Sequence, residues 1–390
     1  MLDMLKVMKR ELKFLLSYKR LLIIILIIPI LFSSFYAYLY QGNIVNHLKV
    51  GIIDYKPSGI SRQIVNGFEK SSKFEVEMLS SEEEIIPLME QDKIDGVIIL
   101  PADFTKNIKS GRQSSVFASA NGTNLLISNN FMVGALEIIN TFDTGIVIKN
   151  VASKGALNSI AYAEAMPISL SLHPWYNPTT GYANFFLPGL IVFIVQQATF
   201  LVVAITITNE RKNNTLKLLT QSYHTFGIIS GKILTYTMLS IISCFSSIYV
   251  VFKYFNMPIY GSLLSIGSLT LAFSLCICTM GMFLSIICNK SLDSIQYSML
   301  IALPSFLLSG YTWPMQAMPD YLAFVGKLLP LTYIANNLRK LSLMGVDYSL
   351  IKEDIGTLLL MTCIFLILSL VIFWWKFKRV KVNKKESITA

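Results

Sequence analysis

Apolar runs long enough to cross a membrane recur along this chain. Because an α-helix rises about 1.5 Å per residue, a run of about 20 residues spans a hydrocarbon layer about 30 Å thick. Uncharged runs of this length cover residues 21–40, 184–208, 233–252, 263–288, 294–313 and 356–375. We therefore predict six transmembrane helices, the first of them kinked at Pro29.

Residues 1–20 have an amphipathic pattern typical of a helix that lies in the cytoplasmic interface. One predicted face carries Leu5, Met8, Leu12 and Leu15, and the other carries Lys6, Lys9, Arg10 and Lys13. A secretory signal peptide is the competing interpretation. The following run of 20 uncharged residues exceeds the usual h-region of about 7–15, and no small-residue cleavage site follows it. We therefore predict that this run is an uncleaved first span.

Residues 41–183 have a different pattern, in which short apolar runs alternate with helix-favouring stretches. We predict strands at 50–53, 74–79, 96–100 and 115–120, and helices after residue 58, from 82, over 102–109 and from 124 to about 165. Ser80 and Ser81 precede three glutamates and are predicted to cap the second of these helices. Alternating strands and helices imply a mixed α/β domain inserted between the first two spans.

Composition and charge place the chain in a membrane and orient it. It is 53% hydrophobic and only 14% charged, against about 25% charged for a soluble domain. The net charge of +10 could suggest a nucleic-acid partner. However, residues 1–20, 209–232, 289–294 and the tail 376–390 hold 17 of the 33 Lys and Arg and 5 of the 23 acids. This asymmetry predicts cytoplasmic termini, an extracellular α/β domain and contact with membrane lipid, with no nucleic acid.

Candidate chemistry is sparse. The five cysteines lie in or beside apolar runs and the three histidines are scattered, so we expect neither disulfides nor a metal site. Residues 227–233 resemble a phosphate-binding loop, but one residue is missing between the glycines and Ile233 stands where Ser or Thr is required. We therefore predict no catalytic residue and no cofactor in this chain, and any ATP must be bound by another chain.

Ionisable residues are nearly absent from the predicted spans, which argues against an ion-coupled transporter. Glu210, Lys232, Lys253 and Lys290 all lie at span ends. Gln196 and Gln197 form the most conspicuous polar pair within a span. We interpret them as interhelical hydrogen-bonding residues, with substrate contact as the alternative.

Two connecting segments could have functional roles. Residues 209–232 form a basic cytoplasmic loop with a short apolar edge at helical spacing, and the alternatives are a docking surface and an ordinary loop. Residues 304–339 are rich in proline and apolar residues, which suggests an external re-entrant segment. This segment is either an outer gate or a packed external cap. The gate candidates are Ser309, Gly310, Trp313, Pro314, Met318 and Pro319.

Three motifs, in order and spacing, resemble the ABC-2 family of ABC-exporter permeases, in particular the branch with a large external domain between the first two spans. They are Tyr176-Asn177-Pro178 with Phe186-Leu187-Pro188-Gly189-Leu190; Asn209-Glu210-Arg211 with Thr215-Leu216-Lys217-Leu218-Leu219 and Gly231-Lys232; and Leu308-Ser309-Gly310, Pro314, Met318-Pro319 and Pro330-Leu331-Thr332-Tyr333 with Arg339. Two positions depart from the family pattern. Asn214 replaces a glycine, and Ser222-Tyr223 replaces Ser-Pro.

The resemblance implies a permease subunit of an exporter in a bacterial cell membrane. It implies two cytoplasmic ATPase subunits, which bind ATP and Mg, and a second permease copy or paralogue. The residues that it implies for ATPase coupling are Glu210, Arg211, Lys212, Thr215, Leu216, Leu218 and Leu219. The cargo expected from apolar spans without buried charge is amphipathic, lipid-like, or similar to a drug or antibiotic.

A different class of protein remains possible from the residues alone. A membrane-anchored receptor or scaffold could use the external domain to bind a ligand or an envelope partner, with the spans as its anchor. An adjacent ATPase gene would favour the transporter, whereas an isolated gene or a kinase neighbour would favour the receptor. A membrane enzyme is a more distant alternative, because the sequence offers no candidate nucleophile or metal cluster.

Overall fold

The computed structural model describes residues 2–42, 46–110, 112–152, 175–177 and 181–386. The chain divides into two compact units. One consists of Met1–Asn43 with Pro174–Ala390, and the other of Ile44–His173. We refer to them as the helical unit and the α/β unit.

The helical unit begins with two helices and continues after the α/β unit. Its first elements are α1 (Leu2–Ser17) and α2 (Lys19–Leu39). Within α2, residues Ile23–Ile27 form a π-helical turn just before Pro29, whose nitrogen cannot donate a helical hydrogen bond. The helix is therefore irregular close to the position where the sequence predicts a kink.

The α/β unit contains four strands and four helices within the described residues. In chain order they are β1 (Leu48–Asp54), α3 (Gly59–Lys70), β2 (Phe74–Met78), α4 (Ile85–Glu90), β3 (Gly96–Leu100), α5 (Phe104–Lys109), β4 (Phe117–Ala120) and α6 (Leu125–Ala152). The part of the predicted last helix beyond residue 152 lies outside the described residues.

The sheet of the α/β unit has the strand order β2-β1-β3-β4. β1 pairs in parallel with β2 and β3, while β4 is antiparallel to β3. Helices α3, α5 and α6 contribute Phe68, Phe104 and Phe131 to one core of the unit. Residues of α4 pack with a second, smaller core that contains Ile53 and Val97. The apolar run of β1 thus belongs to a central strand with both faces covered.

Helix capping in this unit differs from the sequence prediction. Ser81 makes no side-chain capping bond, and a 3₁₀ turn at Glu82–Glu84 precedes α4. Ser58 caps α3 instead, because its hydroxyl accepts the Ser61 amide hydrogen while the Ser61 hydroxyl accepts the Ser58 amide hydrogen.

The remaining helices complete the helical unit. They are α7 (Tyr182–Ala204), α8 (Thr206–Lys212), α9 (Thr215–Ser222), α10 (Thr225–Tyr254), α11 (Leu263–Ile287), α12 (Ser291–Leu308), α13 (Asp320–Lys327), α14 (Pro330–Met344) and α15 (Tyr348–Glu386). Helices α7, α10 and α11 supply most of the buried residues, so these three form the centre of the unit.

Six described helical segments are long and apolar enough to cross a membrane. Five correspond to predicted spans and are Lys19–Leu39, Tyr182–Lys212, Thr225–Tyr254, Leu263–Ile287 and Tyr348–Phe377. The sixth is Leu125–Ile146, which was not predicted as a span. Because Phe131 and Ala135 of this helix lie in the core of the α/β unit, we interpret α6 as a helix that covers the sheet. The predicted span at 294–313 falls on α12, which has 18 residues and is not among the six.

The side of α1 that is buried against the helical unit is centred on Glu11 and only partly overlaps the apolar face predicted for the membrane interface. Val7, Glu11 and Leu15 are buried against the helical unit, whereas Leu5 and Leu12 are exposed. The buried residues recur every four positions, as expected for one side of a helix. A glutamate at the centre of this face needs a partner, and that partner lies on α10.

Candidate functional site

The basic loop at 209–232 folds as a short helix between two span ends. Helix α8 ends at Lys212, α9 begins at Thr215, and α10 begins at Thr225. Asn214 joins α8 to α9 in a left-handed conformation with φ of 56°. Asparagine tolerates this conformation better than most residues, so it can replace the glycine of the family pattern.

A buried ion pair connects α10 with the N-terminal helix. The Lys232 ammonium donates to Glu11 Oε2 at 2.6 Å and to Glu210 Oε1 at 3.1 Å. The side chains of Lys232 and Glu11 are 1% and 2% exposed. Burial of such charges is tolerable only when they are paired and hydrogen-bonded.

Further bonds complete this group of side chains. Arg10 donates to both carboxylate oxygens of Glu210, at 2.8 and 3.1 Å, and this hydrogen bonding raises the pKa of the guanidinium. The Thr215 hydroxyl donates to Glu210, and the Tyr236 hydroxyl donates to Glu11 at 2.8 Å. We call the six residues the charge cluster; they are Arg10, Glu11, Glu210, Thr215, Lys232 and Tyr236. The charges of its two acidic and two basic side chains balance. The cluster joins helices α1, α8, α9 and α10.

Two glycines allow α1 to approach α10 closely enough for this pairing. A Cβ atom at Gly231 would lie 2.7 Å from the carbonyl oxygen of Met4, and one at Gly227 would lie 2.8 Å from Cβ of Asp3. The segment that resembles a phosphate loop is thus the glycine-lined start of α10. A pair of glycines four residues apart is typical of close helix packing, and this spacing was the available signal for the contact.

The sequence suggests roles for Glu210 and Thr215 but not for Arg10, Glu11 and Tyr236. Its pattern places Arg10 on the polar face of α1, and it gives Lys232 only as a span-end residue in the Gly231-Lys232 part of the second motif. Glu11 is one of only two acids among the first 20 residues, which is a weak signal. Its partner lies 221 positions away, so no local pattern reveals the pair.

Helix α9 turns the predicted apolar edge inward. Leu216 and Leu219 are 4% and 2% exposed and belong to the core of the helical unit. Leu218 is 65% exposed, and Lys217 and Gln221 beside it are also exposed. Lys217, Leu218 and Gln221 thus form one exposed side of this helix, which we call the outer face of α9.

The two basic residues predicted for coupling have different surroundings. Arg211 donates to the carbonyl oxygens of Cys288 and Ile286, both at 2.6 Å, while Lys376 donates to the Ile287 carbonyl at 2.9 Å. These cations satisfy carbonyl groups at the C-terminal end of α11. Lys212 is exposed. Arg211 therefore connects α8 with α11, and Lys212 remains accessible to a partner.

At the opposite end of α7, the Tyr311 hydroxyl enters the helical hydrogen-bond ladder. It accepts from the Gly189 amide at 2.9 Å and donates to the Phe185 carbonyl at 2.5 Å. In a regular helix, these two backbone groups would bond to each other. A Cβ atom at Gly189 would lie 2.4 Å from the tyrosine ring, so only glycine leaves room for it. Pro188, which lacks an amide hydrogen, precedes this break.

The residues around Tyr311 connect α7 with the segment predicted as an outer gate. The Arg339 guanidinium lies 4.4 Å from the Tyr311 ring centroid and 4.8 Å from that of Phe185. Asn336 donates to the Ser309 carbonyl at 2.9 Å. The sequence gives Tyr311 no role beyond its place in the segment 304–339, since a bond across 122 positions leaves no local pattern.

The gate candidates divide into buried and exposed residues. Ser309 is buried, and Gly310 adopts a left-handed conformation with φ of 74°. Trp313 is exposed and donates to the Ala317 carbonyl at 3.3 Å. Pro314 is exposed, Met318 is half-buried, and Pro319 is exposed just before α13.

Gln196 connects two helices within the centre of the unit. Its amide nitrogen donates to the Ser305 hydroxyl at 2.9 Å, which joins α7 to α12. Among the described residues, its oxygen and the nitrogen of Gln197 are buried without a hydrogen-bond partner. The pair thus provides one interhelical hydrogen bond, together with one acceptor atom and one donor atom that have no partner among the described residues.

The sequence of this chain is similar to those of several known proteins. The family described as ABC-2 family transporter protein matches residues 19–375. The probable multidrug ABC transporter permease YbhS of Escherichia coli K12 is 23% identical over 363 residues, which cover 92% of each chain. Its counterpart YbhR is 22% identical over 342 residues, or 87% of this chain and 89% of that one. ABC transporter G family member 20 of Dictyostelium discoideum is 20% identical over 306 residues, or 78% of this chain and 41% of that protein.

Proposed function

This chain belongs to the ABC-2 family of transporter proteins, and we propose that it is the permease subunit of an ATP-driven exporter. ATP and Mg are bound and used by two separate cytoplasmic ATPase chains. A second permease subunit, identical or paralogous, completes the translocation pathway across the membrane. The relatives' description as ABC transporter permeases supports this assignment, as does the match over nearly the whole chain.

The proposed topology has six spans with both termini in the cytoplasm. The spans are α2, α7, α10, α11, α12 and α15, and the α/β unit is extracellular. With 18 residues, α12 is about 27 Å long, which nearly equals the hydrocarbon thickness. Basic residues cluster near the ends of these spans that the proposed topology places in the cytoplasm, and this clustering supports the orientation.

The contact with the ATPases lies on the outer face of α9. Leu218 is the apolar anchor, flanked by Lys217 and Gln221. The observation that carries the proposal is that Leu216 is buried whereas Leu218 is exposed. One side of α9 therefore packs on the helical unit, and the other side is left for a partner.

The charge cluster transmits movement of α9 to the neighbouring helices. Thr215 lies at the start of α9 and donates to Glu210, which is bonded to Arg10 of α1 and Lys232 of α10. Closure of the ATPases on ATP therefore shifts α1, α8 and α10 together. Export requires that the spans have two discrete arrangements and that ATP binding favours one of them.

An amphipathic cargo, lipid-like or similar to a drug or antibiotic, fits the centre of the helical unit. Among the described residues that are buried, the charged ones are Glu11, Glu210 and Lys232, all in the charge cluster. The central helices instead carry hydroxyl groups, such as Ser240, which bonds to Ser274 at 3.1 Å. The word multidrug in the names of two relatives agrees with this class of cargo.

Co-purification tests the assignment. The tagged chain should retain a nucleotide-hydrolysing partner in mild detergent, and Leu218→Glu should lower the retained ATPase at least about tenfold, as loss of an interface anchor does. Leu125→Glu is the matched control, because Leu125 is an exposed leucine of the α/β unit and should not affect retention. A chain that retains no ATPase would favour the receptor or scaffold interpretation.

A further inference from the structure

The α/β unit contains a groove that the transport proposal does not use. Its volume is about 680 Å³, within the range of about 300–1,000 Å³ typical of small-molecule sites. Helix α6 forms one wall, and the opposite wall comes from α5 and the segment that leads into β4. All of its lining lies between Ile64 and Ile146, inside one compact unit.

The floor of the groove is apolar. Phe104, Ile108 and Val116 lie on one side, and Ile139 and Phe142 of α6 lie on the other. At its edge, Met132, Val133 and Leu136 are exposed large apolar side chains on consecutive turns of α6. Apolar surface of this kind is suited to an alkyl chain or another apolar body.

The lining of the groove includes one positive and one negative side chain, both exposed and on different elements. Arg112 lies between α5 and β4, and Asp143 lies on α6. Within the described part of the chain, neither side chain has an ion-pair partner. The Ser114 hydroxyl in the same lining is buried, and no described residue bonds to it. The groove therefore offers an anion contact, a cation contact and a free hydroxyl above an apolar floor.

We propose that this groove binds a zwitterionic single-chain amphiphile, such as a lysophospholipid. The tail lies on the apolar floor, the phosphate faces Arg112 and Ser114, and the ammonium group faces Asp143. Charge complementarity selects this occupant, because a purely anionic head would face Asp143 and a purely cationic head would face Arg112. The site is independent of the ATPase contact, so its failure would leave the permease assignment intact.

Photolabelling of the full chain in lipid nanodiscs tests this site. The probe is lysophosphatidylcholine with a diazirine in its tail, and labelled peptides are mapped by mass spectrometry. We expect labelling in residues 104–118 and 132–146. A fatty acid and an alkylamine with the same tail should label these segments about two- to fivefold less, the range for single solvent-exposed charge contacts.

Substitutions at exposed positions separate the head contacts from the groove itself. Leu136→Trp should narrow the groove and reduce labelling by all three probes at least about tenfold. Arg112→Gln should reduce labelling by the zwitterionic and anionic probes only, and Asp143→Asn by the zwitterionic and cationic probes only. Ile86→Trp is the control, because Ile86 lies on α4, whose residues pack against the other face of the sheet, and labelling should not change.

Two results would overturn the proposal. Equal labelling by the three head groups would mean that the groove has no zwitterion preference. Absence of labelling in both segments would mean that the groove is closed to lipid, for instance because another part of the same chain or a second protein occupies it.

Discussion

The ammonium of Lys232 lies 2.6 Å from the carboxylate of Glu11, although 221 positions separate the two residues in the chain. The pair fixes the N-terminal helix α1 on α10 beside the loop proposed to contact the ATPases. Because Lys232 also bonds to Glu210 and Arg10 bonds to Glu210 from the other side, α1 is part of the loop structure. The N-terminal helix therefore belongs to the proposed coupling apparatus.

Removing the charge of Lys232 should destabilise the protein more than removing that of Glu11. Lys232→Met leaves Glu11 buried with the Tyr236 hydroxyl as its one hydrogen-bond partner among the described residues, whereas Glu11→Gln leaves Lys232 bonded to Glu210. We expect Lys232→Met to cost about 3–5 kcal/mol, as loss of one member of a buried pair does. Thermal unfolding in detergent measures the difference, and an equal loss for the two variants would contradict the arrangement.

Leu216 and Leu218 should respond in opposite ways to substitution. Leu216→Ala removes a buried core side chain and should cost about 2–4 kcal/mol of stability. Leu218→Ala removes an exposed side chain and should change stability by less than about 0.5 kcal/mol, while it weakens ATPase retention. Unfolding and co-purification are measured on both variants. If Leu216→Ala reduced ATPase retention without loss of stability, the assigned orientation of α9 would be wrong.

Sequence periodicity predicts local structure well here and tertiary contacts poorly. The strand around Ile52 and the helix after Ser58 follow from local patterns, so they are found close to their predicted positions. The spacing of Leu216 and Leu219 predicts an apolar edge on α9 but not its direction, because the spacing does not specify how the neighbouring helices pack around α9. The burial of Glu11 in α1 is likewise not predicted by a local pattern, because it depends on a bond to Lys232, 221 positions away.

Hydropathy also fails to identify membrane spans correctly where an apolar helix covers a sheet. Leu125–Ile146 is long and apolar enough for a span, yet Phe131 packs in the core of the α/β unit. Conversely, α12 carries Asp293 near its start, which lowers its mean hydropathy. Composition alone does not separate these two cases, because the deciding information is the surface against which each helix packs.

Tyr311→Phe should destabilise the outer end of α7. The ring remains beside Gly189, but the Gly189 amide and the Phe185 carbonyl lose their shared hydroxyl partner. We expect a loss of about 1–3 kcal/mol and faster hydrogen exchange at Gly189. Tyr311→Ala should give slower exchange at Gly189 than Tyr311→Phe, because the two backbone groups can then bond to each other.

Tyr321→Phe is the control for this measurement, because Tyr321 is an exposed tyrosine in the neighbouring helix α13. It should leave both stability and exchange at Gly189 unchanged. Equal stability of the Tyr311→Phe protein and the unaltered chain would show that the hydroxyl does not stabilise α7 where its helical hydrogen bond is interrupted.

Arg211 and Lys212 form a matched pair that separates structural from docking roles. Arg211→Met leaves carbonyl groups at the end of α11 with fewer donors and should cost about 1–2 kcal/mol. Lys212→Met should change stability by less than about 0.5 kcal/mol, because the side chain is exposed. Thermal unfolding compares the two. A larger loss for Lys212→Met would contradict the assignment of Arg211 to the end of α11.

Site-specific photocrosslinking in native membranes tests the central claim most directly. A benzophenone amino acid is placed at Leu218, on the outer face of α9, and at Leu216 on the buried side as the control. Irradiation should join position 218 to a cytoplasmic protein with nucleotide-binding motifs, while position 216 yields crosslinks within the chain. Crosslinks from position 218 to lipid alone, or to an ATPase from both positions equally, would contradict the proposed docking surface.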